Sequence, residues 1–101
     1  MVLQSNNHSV FALNYHLILV IKNRQEVIDE AISNRLREIF ERIQNNYNIV
    51  CQEWNHDIDH IHILFSAEPN TELSKFINAY KSASSRLIKK EFPKFTSLIL
   101  K

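Results

Sequence analysis

Glycine does not occur in this chain of 101 residues. Its absence excludes Walker and dinucleotide-binding loops, both of which need glycine where the backbone closes on a phosphate. The eleven asparagines are therefore expected to take the left-handed turn positions that glycine usually fills. A single cysteine, Cys51, rules out an internal disulfide and any paired-cysteine zinc signature. The longest purely aliphatic run, residues 17–21, is too short to span a bilayer, and the first eight residues lack the charged and apolar regions of a secretory signal. No membrane partner and a cytoplasmic location are the expectation. An excess of charge is missing too: twelve basic against eleven acidic residues leave a formal +1. No global positive field draws in a polyanion, so nucleic-acid binding would require basic groups gathered on one face.

What is present is an ordinary globular composition, 45% hydrophobic and 23% charged, with room for one core. Residues 1–9 are polar and aperiodic and read as a flexible lead-in to a single domain over 10–101. Residues 10–21 (VFALNYHLILVI) are apolar at nearly every position, the pattern of a strand covered on both faces. From Glu26 to Asn45 apolar residues recur at Ile28, Ile32, Leu36, Ile39, Phe40 and Ile43, which predicts a helix with Asn45-Asn46 as its C-cap. Residues 49–54 and 59–67 read as strands joined by a turn at Asn55-His56-Asp57. A second helix is predicted to open at Asn70 or Thr71 and to stop at Phe92-Pro93. Residues 97–100 are the one candidate for a last strand. The order β-α-β-β-α predicts an α+β fold: a ferredoxin-like split βαβ with an antiparallel sheet, both helices on one face, and a last strand short or missing. The first and third strands are then the central neighbours, and the tail would flank the first.

The sharpest chemical feature is Asp59-His60-Ile61-His62-Ile63-Leu64-Phe65. Alternation along a strand puts His60 and His62 on one face and Ile61, Ile63 and Phe65 on the other. Two imidazoles side by side can share one metal ion, each using a single ring nitrogen while an acceptor such as His56, Asp57 or Asp59 holds the other. Parity puts Asp59 on the wrong face if the strand already includes it. By spacing alone, such a pair is more often two solvated or hydrogen-bonded neighbours than a metal site. Lys22, Arg24, Lys81 and Arg86, with Lys89 and Lys90, could neutralise a DNA backbone or simply form solvated surface. Trp54 reads as a packing residue and Cys51 as a small buried one, while His16 could neighbour the histidine pair across the sheet or be structural.

Taken together, Asn14-Tyr15-His16-Leu17, Glu53-Trp54-Asn55, the Asp59–Leu64 stretch and NTELSKFINAYKSASSRL at residues 70–87 resemble the insertion-sequence 200/605 transposases. These are the single-tyrosine members of the HUH (His-hydrophobic-His) endonucleases. The resemblance covers residues 10–95 and is most specific in the 70–87 stretch. It implies metal-dependent cleavage and rejoining of single-stranded DNA at hairpin-bearing element ends, by a homodimer. His60 and His62 would hold magnesium or manganese, and a tyrosine would form a phosphotyrosine bond to the 5′ side. In that family the nucleophile lies on a helix after the last strand. None of Tyr15, Tyr47 and Tyr80 matches it, so no catalytic tyrosine is assigned here. The expectation is a truncated or domesticated form, or a piece of a longer product, inactive in cleavage alone. A hairpin-binding or regulatory derivative, and a ferredoxin-like interaction domain with an incidental histidine pair, are the competing readings.

Overall fold

The computed structural model describes residues 12–21 and 26–92 and the backbone of 98–100. Strand β1 (Leu13–Ile21) leads to helix α1 (Glu30–Gln44), a 3₁₀ turn (Asn45–Tyr47), strands β2 (Ile49–His56) and β3 (His60–Ala67), helix α2 (Leu73–Glu91) and strand β4 (Leu98–Leu100). The four strands form one sheet in the order β2-β3-β1-β4, with every pairing antiparallel. The expected α+β split βαβ order is present, and the tail strand does flank β1, pairing only with Leu19, Val20 and Ile21. The lead-in expected at residues 1–9 lies outside the described residues.

One core gathers the inward side chains of the sheet and of both helices. From β1 come Leu17, Leu19 and Ile21, from β3 Ile61, Ile63 and Phe65, from α1 Ile32, Leu36, Ile39 and Phe40, and from α2 Phe76, Tyr80 and Ile88. Both helices therefore lie on the same face of the sheet. Phe40 stands at the centre, with its ring 5.1 Å from Phe76, 5.3 Å from Tyr80, 5.8 Å from Phe65 and 5.9 Å from Trp54. Offset and edge-on contacts of this kind add to the area that each ring buries. Tyr80 satisfies its hydroxyl by donating to the Leu36 carbonyl of α1 at 3.1 Å. At the surface, Arg35 of α1 makes a forked pair with Glu91 at the end of α2, at 3.0 and 3.1 Å. Exposed pairs of this kind contribute about 1 kcal/mol or less.

Several expectations need correction. Strand β1 is covered by helices on one face only: on the other, Asn14 and His16 are exposed, Ile18 is half-buried and Val20 alone, between His60 and the β4 strand, is buried. The near-continuous apolar run reflects its central place in the sheet rather than a second layer. Helix α1 starts four residues later than the periodicity predicts, because the Asp29 carboxylate accepts the Ile32 backbone N–H at 2.9 Å and caps it. Ile28 fits the helical spacing but precedes the helix, buried, with its N–H bonded to the Ile58 carbonyl at 2.9 Å. Asn45 is the C-cap of α1, as expected, but in right-handed geometry, and the left-handed residue is Asn48 (φ 55°), after the 3₁₀ turn. That is the asparagine-for-glycine replacement that the composition leads one to expect. Helix α2 has Glu72 at its N-cap with no side-chain cap. Thr71 instead donates its hydroxyl to the Tyr47 carbonyl at 3.1 Å, tying the start of the helix to the turn after α1. Cys51 is half-buried rather than buried.

Phe40→Ala should cost about 3–5 kcal/mol, a large part of the stability of a small domain. Tyr80→Phe, which removes one hydrogen bond and no volume, should cost about 1 kcal/mol. Urea unfolding followed by far-ultraviolet circular dichroism checks both. Equal midpoints for the two variants would show that Phe40 is not the centre of the core.

Candidate metal centre on the open sheet face

Strand β3 is central, paired to β1 along its length and to β2 on its other side. Its burial alternates strictly: Ile61 and Ile63 are 0% exposed and Phe65 1%, while His60, His62, Leu64 and Ser66 are half-buried. The two histidines therefore project from the face opposite the helices, as the alternation predicts. Their rings meet edge to face with centroids 4.7 Å apart.

Each ring is held through Nδ1. His60 Nδ1 lies 2.7 Å from an Asp59 carboxylate oxygen. The parity objection to Asp59 does not apply, because β3 begins at His60 and Asp59 belongs to the turn. That turn is closed by the Asp57 N–H on the His60 carbonyl at 2.8 Å, with the Asp57 side chain accepting the Ile58 N–H at 2.8 Å. His62 Nδ1 lies 3.2 Å from Nε2 of His16, with ring centroids 5.3 Å apart. The register explains this meeting. His16 is opposite Leu64 and Ile18 opposite His62, so His16 and His62 are diagonal neighbours on one face, within reach of long side chains. With Nδ1 engaged in both rings, Nε2 of each is the nitrogen left for a metal, the usual division of labour in a ligating histidine.

Strand β2 adds a polar neighbour that strict alternation would misplace. A bulge at Gln52, between Cys51 and Glu53, shifts the register so that Trp54 pairs with Ile63 and Asn55 with His62. Trp54 is thereby returned to the helix side, where its Nε1–H donates to Ser33 Oγ at 3.0 Å, a packing role. Asn55 comes to the histidine face. Gln52, displaced by the bulge, donates from Nε2 to Ser66 Oγ at 3.0 Å. Among the described residues no three His, Cys, Asp or Glu side chains are gathered as a metal cluster, and the two imidazoles are the nitrogen donors that this face offers. Two nitrogen donors suit manganese better than magnesium, which prefers oxygen.

The basic candidates are not brought to this face. Lys22 and Arg24 lie outside the described residues. Lys81 and Arg86 are exposed on α2, whose buried side faces the sheet from the other direction, so they point away from the histidines. The tyrosines are also on the wrong side. Tyr15 stacks on Phe65 with centroids 5.5 Å apart, Tyr47 meets the edge of Phe76 at 5.6 Å, and Tyr80 is fully buried in the core.

A half-buried His-hydrophobic-His pair thus lies on the open face of an antiparallel sheet that two helices back on the other side. The sequence profile described as "Transposase IS200 like" matches residues 9–101, and the chain belongs to that family. The ISDra2 transposase TnpA of Deinococcus radiodurans is 34% identical over 86 residues, which cover 83% of this chain and 60% of that protein. The chain thus spans less than two thirds of that relative's length. A crystal structure from Deinococcus radiodurans, described as that of a transposase, superposes with a TM-score of 0.74 at 24% identity, over 90% of this chain and 78% of the other. The REP-associated tyrosine transposase bound to a REP hairpin superposes with a TM-score of 0.63 at 11% identity, over 87% of this chain and 54% of the other. These two likenesses concern the fold. Among the described residues no helix is long and apolar enough to cross a membrane.

Burial raises the Tyr80 phenol well above its ordinary value. A folded pKa above the unfolded one means that Tyr80 supports the fold fully at neutral pH, and that this support is lost as pH rises beyond the unfolded value. In an alkaline titration followed by phenolate absorbance, one of the three tyrosines should ionise only as the circular dichroism signal collapses. Complete ionisation of all three in folded protein would contradict the burial of Tyr80.

Proposed function

We propose that this chain carries the metal-binding half of a site that cleaves and rejoins single-stranded DNA at the hairpin-bearing ends of a mobile element. The observation that carries the reading is the pairing of His60 and His62 on one sheet face with Nδ1 of each ring already engaged. When bound there, a divalent ion, manganese or magnesium, would polarise the scissile phosphate. His60 and His62 would hold it through Nε2, with Asp59 orienting His60.

Cleavage of this kind requires a phenol oxygen to attack phosphorus as the P–O3′ bond breaks, with the proton passing to the departing 3′ oxygen. The 5′ side stays linked to tyrosine, so bond energy is kept for rejoining and no nucleotide cofactor is consumed. Tyr15, Tyr47 and Tyr80 all serve the opposite side of the sheet. The nucleophile of the reaction is therefore none of these three, and this chain by itself binds without cutting. The same placement favours the second reading, a hairpin-binding or regulatory derivative. Lys81 and Arg86, on the outer side of α2, would hold hairpin backbone away from the scissile phosphate. Strand β1 is paired by β4 only at Leu19–Ile21 among the described residues, and its free length would join a second copy edge to edge to give a homodimer.

Calorimetric titration with manganese should give weak binding by the wild type and none by His60→Ala/His62→Ala. Equal heats from the two proteins would place the ion elsewhere and remove the metal reading.

With element-end single strands and manganese, a denaturing gel should show no covalent adduct, and light scattering should show a mass about twice 12.0 kDa. Lys81→Ala/Arg86→Ala should weaken hairpin binding and lower the slope of log affinity against log salt by about 2. An adduct mapped to Tyr15, Tyr47 or Tyr80 would relocate the active site, and an unchanged salt slope would remove the two basic residues from the interface.

A further inference from the structure

His16 stands in the same relation to His62 as Asp59 does to His60, and the consequence for His62 is chemical. A neutral imidazole carries one N–H and one lone pair, so its proton position decides which nitrogen can bind a metal. At 3.2 Å, His62 Nδ1 and His16 Nε2 are in hydrogen-bond contact, and two facing ring nitrogens share one proton. If His62 donates from Nδ1, its Nε2 has a free lone pair. If His16 donates instead, the His62 proton sits on Nε2 and that nitrogen cannot ligate. Free histidine prefers the Nε2–H form, so His62 left without an acceptor would rest mostly in the tautomer that cannot bind through Nε2.

We infer that His16 is a positioning residue for the metal centre: its Nε2 accepts the Nδ1 proton of His62 and fixes His62 with Nε2 bare. The inference rests on the metal reading above and adds a residue to it. Three features support the direction of the bond. Asp59, a carboxylate and so only an acceptor when ionised, holds Nδ1 of His60, which leaves Nε2 as the bare nitrogen of that ring. In His62 it is likewise Nδ1 that meets a neighbouring side chain, so Nε2 is the nitrogen that this ring too can offer to an ion. The diagonal register of β1 against β3 delivers His16 to the Nδ1 side of His62, and the ring tilt of 33° lets its nitrogen face that atom. Finally, His16 is exposed and lies on the face away from the core, so packing gives no competing reason for an imidazole there.

The test begins with metal-free protein. Long-range ¹⁵N–¹H correlation spectra report the tautomer of each histidine. Wild-type His62 should be Nδ1–H. His16→Phe, which keeps a flat ring but no acceptor, should move His62 towards Nε2–H, and His16→Gln, whose amide oxygen can accept, should restore Nδ1–H. Manganese affinity should fall about tenfold in His16→Phe, the low end of the range for losing a partner behind a ligand, and return with His16→Gln. Wild-type His62 found as Nε2–H, or affinity unmoved in His16→Phe, overturns the inference. Loss of affinity with an unchanged His62 tautomer makes His16 a direct ligand and overturns it as well. A His62→Ala control separates the two levels. If it binds manganese as the wild type does, the metal reading fails, whereas the tautomer spectra still decide what His16 does to His62.

Discussion

Burial of Ile61, Ile63 and Phe65 under the helices is the constraint on which the rest of this domain depends. The three side chains are 0–1% exposed and sit on the central strand of the sheet. Each contributes about 1.5–3 kcal/mol by leaving water. A slip of one residue in β3 would turn all three outward and the histidines inward, forfeiting about 5–9 kcal/mol, as much as a small domain's whole stability. The apolar set thus fixes the position of His60 and His62 without either ring contributing to the core. The histidine pair on one face is held in place by packing on the other.

The same logic extends across the sheet. Pairing of β1 with β3 is dictated by the matching inward residues Leu17, Leu19 and Ile21, and that register places His16 diagonal to His62. On the opposite side, β2 could satisfy its inward Ile49 and its Trp54 only by losing one residue of phase between them. The bulge at Gln52 supplies that phase change. It delivers the Trp54 indole to Ser33 and, as a by-product, Asn55 to the flank of His62. Two neighbours of the histidine pair are therefore consequences of core packing on strands to either side.

This also explains which parts were legible in the sequence. The alternation around Ile61 and Ile63 is local and strong, so the face of His60 and His62 could be read directly, as could the element order and the flanking place of the last strand. The family could be read from the motifs. Local patterns failed where a competing interaction decided the outcome. Ile28 continues the spacing of Ile32 and Leu36, yet the Asp29 carboxylate captures the Ile32 N–H and starts the helix after it. The Gln52 bulge leaves no mark in composition, because its cause is the register of two distant aromatic and aliphatic contacts. His16 and Asp59 depend on where a strand begins and which residues face across it, and neither is a property of a window of sequence.

The sheet is also a partition, and this shapes what the chain can do chemically. Tyr15 is spent on stacking with Phe65, Tyr47 on the edge of Phe76 and the Thr71 link, and Tyr80 on the Leu36 carbonyl, all on the helix side. Layers packed on a sheet lie about 10 Å from it, so the Tyr80 phenol, rooted in the helix layer, is separated from the histidine face by the strands themselves, while Tyr15 points from β1 to the helix side. Tyr80 would in addition have to ionise where burial opposes the phenolate. None of the three phenols lies on the face that carries His60, His62, His16 and Asn55. That face, with its half-buried imidazoles and exposed asparagine, has no helix packed on it among the described residues.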